Sequence, residues 1–230
     1  MDLVLLPGLD GSDVLFGPLR SALPSWCRTH VVPLPADGAQ DYDTLTRHVR
    51  DRWPAVGAAA VLAWSFSGPI GVRLAADPAL DVRGLVLAAS FVCDPLRLLR
   101  PARCLVAPWL FAAVPFAVCA RVLLGRGARS DVVGLLRRAL AGLASEVAAR
   151  RVRALLTVDE STRFADLRIP VLYLASERDH VVPNRSARRA AALNLRVRVR
   201  TIRGGHLALA TEPASAAVEI ATFLAAHPST

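Results

Sequence analysis

Short apolar runs of strand length recur along the chain at 3–6, 29–34, 58–64, 84–90, 170–175 and 195–202, and segments with helical spacing separate most of them. Strands alternating with helices point to βαβ units, hence to an α/β fold with a parallel sheet and right-handed crossovers covering both faces. The helix expected at 69–76 stops at Asp77-Pro78, Asp43 is the expected cap of a helix over 44–49, and a closing helix is expected over 214–226. The run at 195–202 alternates apolar residues with Arg196, Arg198 and Arg200, the pattern of an edge strand whose charged face resists sheet-to-sheet association.

The rhythm breaks between 95 and 166, where no convincing strand occurs and Pro101, Pro108 and Pro115 punctuate helix-like stretches. This segment is expected to be a helical cap inserted into a core formed by 1–94 and 167–230. Within it, 104–124 is nearly all apolar, but Pro108 and Pro115 interrupt it and Arg121 lies inside its end. It is therefore read as two or three short helices lining an apolar pocket rather than as a membrane span, with an interfacial helix left open. Trp64, Trp109, Phe111 and Phe116 are the expected pocket aromatics. Arg137, Arg138, Arg150 and Arg151 fall on amphipathic segments that read most simply as a solvated face, or as a dock for an acidic carrier protein.

Composition narrows the class. A chain of 230 residues, 53% hydrophobic and 20% charged, suits one globular domain with a large core and a possible insertion. The net charge of +9 would ordinarily suggest nucleic acid, but every basic residue is arginine and the aromatics, 6% of the chain, are not interleaved with them as a stacking platform requires. No nucleic-acid partner is expected. Cys27, Cys93, Cys104 and Cys119 lack metal or redox spacing and are expected to be reduced and mostly buried, with no metal site. No basic n-region precedes the first strand-like run, so no secretory signal is expected and the cytoplasm is the default.

Candidate chemistry gathers after the strands. Ser65 sits on a strand-to-helix turn, a crossing tight enough to demand small residues two before and two after, and Ala63 and Ser67 are both small. Ser67 is an alternative nucleophile, but Pro69 would then crowd the crossing. The glycine-rich turn Pro7-Gly8-Leu9-Asp10-Gly11-Ser12 follows the first strand, where the Leu9 amide, with that of Phe66, could form an oxyanion hole, or where the turn could merely lead to the next helix. Asp179 follows the strand at 170–175, as catalytic acid or as turn cap, and Asp94 is its rival after the strand at 84–90. His206 lies on a glycine-flanked loop after the run at 195–202, while His30 and His48 read as structural.

Ser65, Asp179 and His206 occur in the chain order and at the strand ends of the α/β-hydrolases, which the sequence resembles throughout. Leu6-Pro7-Gly8-Leu9-Asp10-Gly11 looks like the oxyanion loop of that family, Ser65-Phe66-Ser67-Gly68-Pro69 its nucleophile elbow, Glu177-Arg178-Asp179-x-Val181-Val182-Pro183 its acid loop and Gly205-His206 its histidine loop. Two departures stand out. Alanine and serine occupy the elbow's usual glycine positions, and the chain begins at what resembles the family's third strand, which implies an open, six-stranded, wholly parallel sheet. The resemblance is to small capped carboxylesterases, including those acting on pimeloyl-carrier-protein methyl ester. It implies a serine hydrolase of short- to medium-chain carboxylic esters, with Ser65, Asp179 and His206 catalytic, Leu9 and Phe66 amides at the oxyanion and no cofactor. The substrate would be a small-molecule or carrier-linked ester. A catalytically weak binding module, or a cofactor-free acyltransferase or perhydrolase, is the alternative.

Overall fold

A computed structural model describes residues 1–125 and 127–227, so the last three residues of the expected core segment lie outside the described residues. Six strands, β1 (Asp2–Leu6), β2 (Arg28–Val31), β3 (Ala59–Trp64), β4 (Val82–Ala88), β5 (Val171–Ser176) and β6 (Val197–Ile202), form one sheet in the order β2-β1-β3-β4-β5-β6. Every pairing is parallel. Parallel strands buried on both faces read as continuous apolar runs rather than as alternation, and β1, β3 and β5 are buried throughout.

Alternate side chains of those strands feed two cores. Leu3, Leu5, Leu62, Trp64 and Leu172 face one. It is closed by α1 (Gly17–Ala22), α10 (Ala208–Thr211) and α11 (Pro213–Ala225). Val4, Leu6, Val61, Ala63 and Tyr173 face the other, closed by α2 (Tyr42–Asp51), α3 (Gly68–Ala75), α8 (Ser161–Ala165) and α9 (Arg185–Leu193). The outer strand β6 keeps its arginines exposed, as expected of an edge.

Asp41, rather than Asp43, caps α2. Asp41 is extended (φ −76°, ψ 159°) and its carboxylate accepts from the Thr44 amide at 2.8 Å, whereas Asp43 is already helical and pairs with Arg73. Between β4 and β5 the chain forms a 3₁₀ segment at Arg97–Leu105, then α4 (Pro108–Ala113), α5 (Phe116–Leu124), α6 (Ser130–Ala141) and α7 (Ser145–Leu155), before α8. No helix among the described residues is long and apolar enough to cross a membrane. Cys27 and Cys93 are buried as expected, but Cys119 is half-buried and Cys104 exposed, because the segment that carries them lies on the outside.

The chain runs from β1 outward to β2, then returns past β1 to β3. This reversal puts the carboxyl ends of β1 and β3 side by side at the topological switch point, where open α/β sheets bind ligands.

Candidate active site

The turn after β3 is a constrained piece of backbone. Ser65 has φ +51°, in the left-handed region that an L-residue enters only when its surroundings hold it there. Three hydroxyls hold it. Ser90 donates to the Ser65 carbonyl at 2.6 Å, Tyr42 donates to the Phe66 carbonyl at 3.0 Å while stacking on the Phe66 ring, and Ser67 donates to the carbonyl of Pro7. Ser90 is itself fixed by the Tyr173 hydroxyl, which donates to the Ser90 carbonyl. Burial pushes both tyrosine pKa values up, keeping these hydroxyls protonated as donors.

Ala63 is accommodated by a glycine elsewhere. A Cβ on Gly71, one turn into α3, would stand 2.7 Å from the Ala63 Cβ, so Gly71 vacates the space that Ala63 occupies. A side chain on Gly68 would collide with Ser90 and the Phe91 backbone. The helix therefore packs tightly on the sheet without the usual elbow glycines.

Ser65, 8% exposed, faces two other strand ends. Its Oγ lies 2.7 Å from His206 Nε2, and His206 Nδ1 lies 2.8 Å from Asp179 Oδ2. The other Asp179 oxygen accepts the amides of Val181 and Val182 at 2.8 and 2.9 Å. Turn cap and histidine partner are thus one residue, with one oxygen for each. The loops after β5 and β6 are tied together by the Glu177 and Arg178 amides, which donate to the carbonyls of Ile202 and Gly204. Asp94 is not part of this chain of contacts: its Oδ1 accepts the Leu96 amide at 2.8 Å, and it lines a separate cavity with Arg97, Arg185 and Arg189. His30 pairs with Asp2, and His48 bonds the Pro33 carbonyl, so both are structural.

The glycine-rich turn after β1 lies against Ser65, with a Cβ on Gly8 falling 3.7 Å from that of Ser65. Three successive carbonyls of this turn have assigned donors. Pro7 accepts from Ser67, Gly8 from the Gly11 amide at 3.0 Å, and Leu9 from Arg151 Nη1 at 2.6 Å. Among the described residues the Leu9 amide has no protein acceptor.

Arg151 reverses an expectation. Read from sequence as part of a solvated face on α7, it is 1% exposed, because its fork meets three fixed acceptors: Leu9, the Pro35 carbonyl and Gln40 Oε1, the last two at 2.8 Å. Its Cζ also sits 5.9 Å from the Phe66 ring centroid. Burial pushes its pKa down to about 10, which leaves it charged at neutral pH. No local signal separates such an arginine from its solvated neighbours, since its acceptors lie more than 100 positions away in the chain.

A cavity of about 220 Å³ opens onto Ser65 and His206. Its walls are mainly aliphatic and aromatic, with Leu136 and Leu140 from α6, Val152 and Leu155 from α7, and Trp64 and Phe66 from the elbow, while Asp10 of the glycine-rich turn also lines it. Of the expected pocket aromatics, Trp64 is present and Trp109, Phe111 and Phe116 are not. Trp109 points outward from α4, and Phe116 lies beneath Arg137, whose Cζ is 4.0 Å from its ring centroid. Apolar helical segments look alike in sequence whether they line a pocket or cover a surface. No group of residues able to hold a metal ion occurs among the described residues.

The sequence profile described as the alpha/beta hydrolase family matches residues 3–220, nearly the whole chain. The chain belongs to the alpha/beta hydrolase family. Among curated relatives, a pimeloyl-[acyl-carrier protein] methyl ester esterase of Nitrosomonas europaea is 34% identical over 98 residues, covering 40% of this chain and 38% of the relative. The match thus spans well under half of that relative's length. Among solved structures, a thermophilic esterase of Thermogutta terrifontis superposes with a TM-score of 0.83 at 16% identity, covering 99% of this chain and 91% of that one. An enol-lactonase of Burkholderia xenovorans superposes with a TM-score of 0.78 at 16% identity, covering 97% and 91%. At such identities these likenesses establish the alpha/beta hydrolase fold.

Proposed function

We propose that the chain is a serine esterase that hydrolyses carboxylic esters of short to medium aliphatic acyl groups through an acyl-enzyme on Ser65. The observation that carries this reading is the relay Ser65 Oγ to His206 Nε2 at 2.7 Å and His206 Nδ1 to Asp179 at 2.8 Å, opening onto an apolar cavity. The ester hydrolysis named for the Nitrosomonas europaea relative is of the same reaction class.

The chemistry follows from the geometry. As Ser65 Oγ attacks the ester carbonyl carbon, His206 Nε2 takes its proton and the carbonyl π pair moves onto oxygen. Asp179 holds the imidazole by Nδ1–H and stabilises the imidazolium. The amides of Leu9 and Phe66 are the donors for the oxyanion, and Arg151, touching both residues, is a positioning residue that also brings buried positive charge near it. Collapse expels the alcohol, protonated by His206, and leaves the acyl group on Ser65. Water then adds with His206 as base, and a second collapse returns the proton to Ser65 and releases the acid.

Hydrolysis of p-nitrophenyl butyrate tests the assignment. Ser65→Ala and His206→Ala are expected to lose turnover by about a million-fold, and Asp179→Asn by about ten-thousand-fold. Asp94→Asn is expected to retain the parental rate. Parental turnover in Ser65→Ala would end the serine reading, and a loss in Asp94→Asn without one in Asp179→Asn would move the acid.

A further inference from the structure

The sequence at 96–128 has an unusual composition. Apart from glycine, proline and apolar residues, the segment contains only arginines, and no acidic residue occurs between Asp94 and Asp131. In the fold much of this apolar segment is turned outward, while Phe116, Ala120 and Leu123 pack against the core. No described residue from Leu96 to Leu123 is buried, and the largest side chains are among the most exposed: Leu98 at 91%, Leu105 at 70% and Trp109 at 66%. A contiguous apolar surface of this kind marks an interaction site.

We propose that the surface formed by the 3₁₀ segment, α4 and α5 docks on an anionic lipid bilayer. Charge complementarity selects this occupant. Arg97, Arg100, Arg103 and Arg121 lie among the exposed apolar residues of a segment that carries no acidic residue of its own, and although Asp94 and Asp159 lie near Arg97 and Glu212 near Arg121, each exposed arginine adds attraction to anionic headgroups. An exposed tryptophan amid leucine and valine is the composition of an interfacial helix, and α4 and α5, of six and nine residues, are too short to span a bilayer. A second copy of the chain fits less well, because a two-fold contact would set this arginine-bearing face against itself. A protein partner would meet only the Trp109 indole N–H and the weak Cys104 and Cys119 thiols as neutral hydrogen-bonding side chains here, whereas protein interfaces ordinarily use about ten hydrogen bonds.

The placement has a consequence for substrate access. Leu96 and Leu123, at the two ends of the segment, line the cavity that opens on Ser65. On the esterase reading this sets the acyl pocket beside the bilayer, but docking itself does not depend on that reading.

The test is co-sedimentation of the protein with phosphatidylcholine vesicles, with and without phosphatidylglycerol. Binding is expected with the anionic vesicles and is expected to weaken with salt. Combined Leu98→Glu, Leu105→Glu and Trp109→Glu should lower partitioning at least about a hundredfold. Combined Arg97→Gln, Arg100→Gln and Arg103→Gln should lower it by on the order of a hundredfold on anionic vesicles alone. Far-UV circular dichroism and p-nitrophenyl butyrate hydrolysis should remain parental, since none of these residues lines the Ser65 cavity. A measurement independent of those variants is tryptophan emission, which should shift to the blue on anionic vesicles in the parent and not in a Trp109→Phe variant that still binds. Parent protein left in the supernatant with both vesicles would overturn the proposal. So would unchanged sedimentation of the glutamate variant, or self-association in free solution, or binding of an acidic protein without vesicle binding, that the same substitutions abolish.

Discussion

Ser67 occupies an elbow position where the family usually has glycine, and its hydroxyl is what joins the turn after β3 to the turn after β1 through the Pro7 carbonyl. Arg151 grips the same turn at the Leu9 carbonyl from the opposite side. On the proposed oxyanion role of the Leu9 amide, removing either grip leaves a carbonyl without its donor and that amide less firmly held. Ser67→Ala is expected to lower kcat by about tenfold with KM unchanged, since an oxyanion donor lost outright costs about a hundredfold or more. Arg151→Lys keeps the charge but cannot serve three acceptors in one plane, and is expected to cost about 1–3 kcal/mol of stability together with a similar fall in kcat. Steady-state kinetics and urea unfolding check both; a change in KM alone would contradict the positioning role. At this scale the sequence is legible in placing Ser65, Asp179 and His206 after strand ends, and the structure brings the three into one hydrogen-bonded chain. Arg151 was not legible, because its burial is decided by the distant carbonyls of Leu9 and Pro35 and by Gln40.

The elements are most legible where both faces of a strand are buried, because β1, β3 and β5 then carry apolar runs over most of their length. Boundaries and outward faces were less legible. Asp41 and Asp43 are equally good candidates by residue type, and only the extended backbone of Asp41 makes it the cap of α2. The Thr44 amide bonded to Asp41 holds its carboxyl below the ordinary value of 3.8. A carboxyl depressed on folding adds stability above its unfolded pKa and loses it as pH falls through the folded one. Asp41→Ala is accordingly expected to cost about 1 kcal/mol near neutral pH. The difference from the parent should narrow as the pH falls below 3.8. Thermal unfolding across that range checks it, and a penalty independent of pH would contradict the cap. For α4 and α5, helix and apolarity are legible but direction is not, so Trp109 stands at the surface and Phe116 packs beneath Arg137 instead of lining the pocket.

In the whole molecule the strand order decides where chemistry can occur. The return from β2 past β1 to β3 brings the glycine-rich turn beside Ser65, and the consecutive addition of β4, β5 and β6 brings Asp179 and His206 to the same edge. That convergence is spread over residues far apart in sequence, and only their shared position after strands foreshadowed it. A strained serine clamped by three hydroxyls and bonded to a buried histidine is the expected state of an activated nucleophile rather than of a packing residue. Reaction of the folded protein with a fluorophosphonate, followed by peptide mapping in a mass spectrometer, tests this most directly. The account predicts a single phosphonyl adduct on Ser65 and none on Ser65→Ala. An unmodified parent, or an adduct that persists in Ser65→Ala, would contradict it.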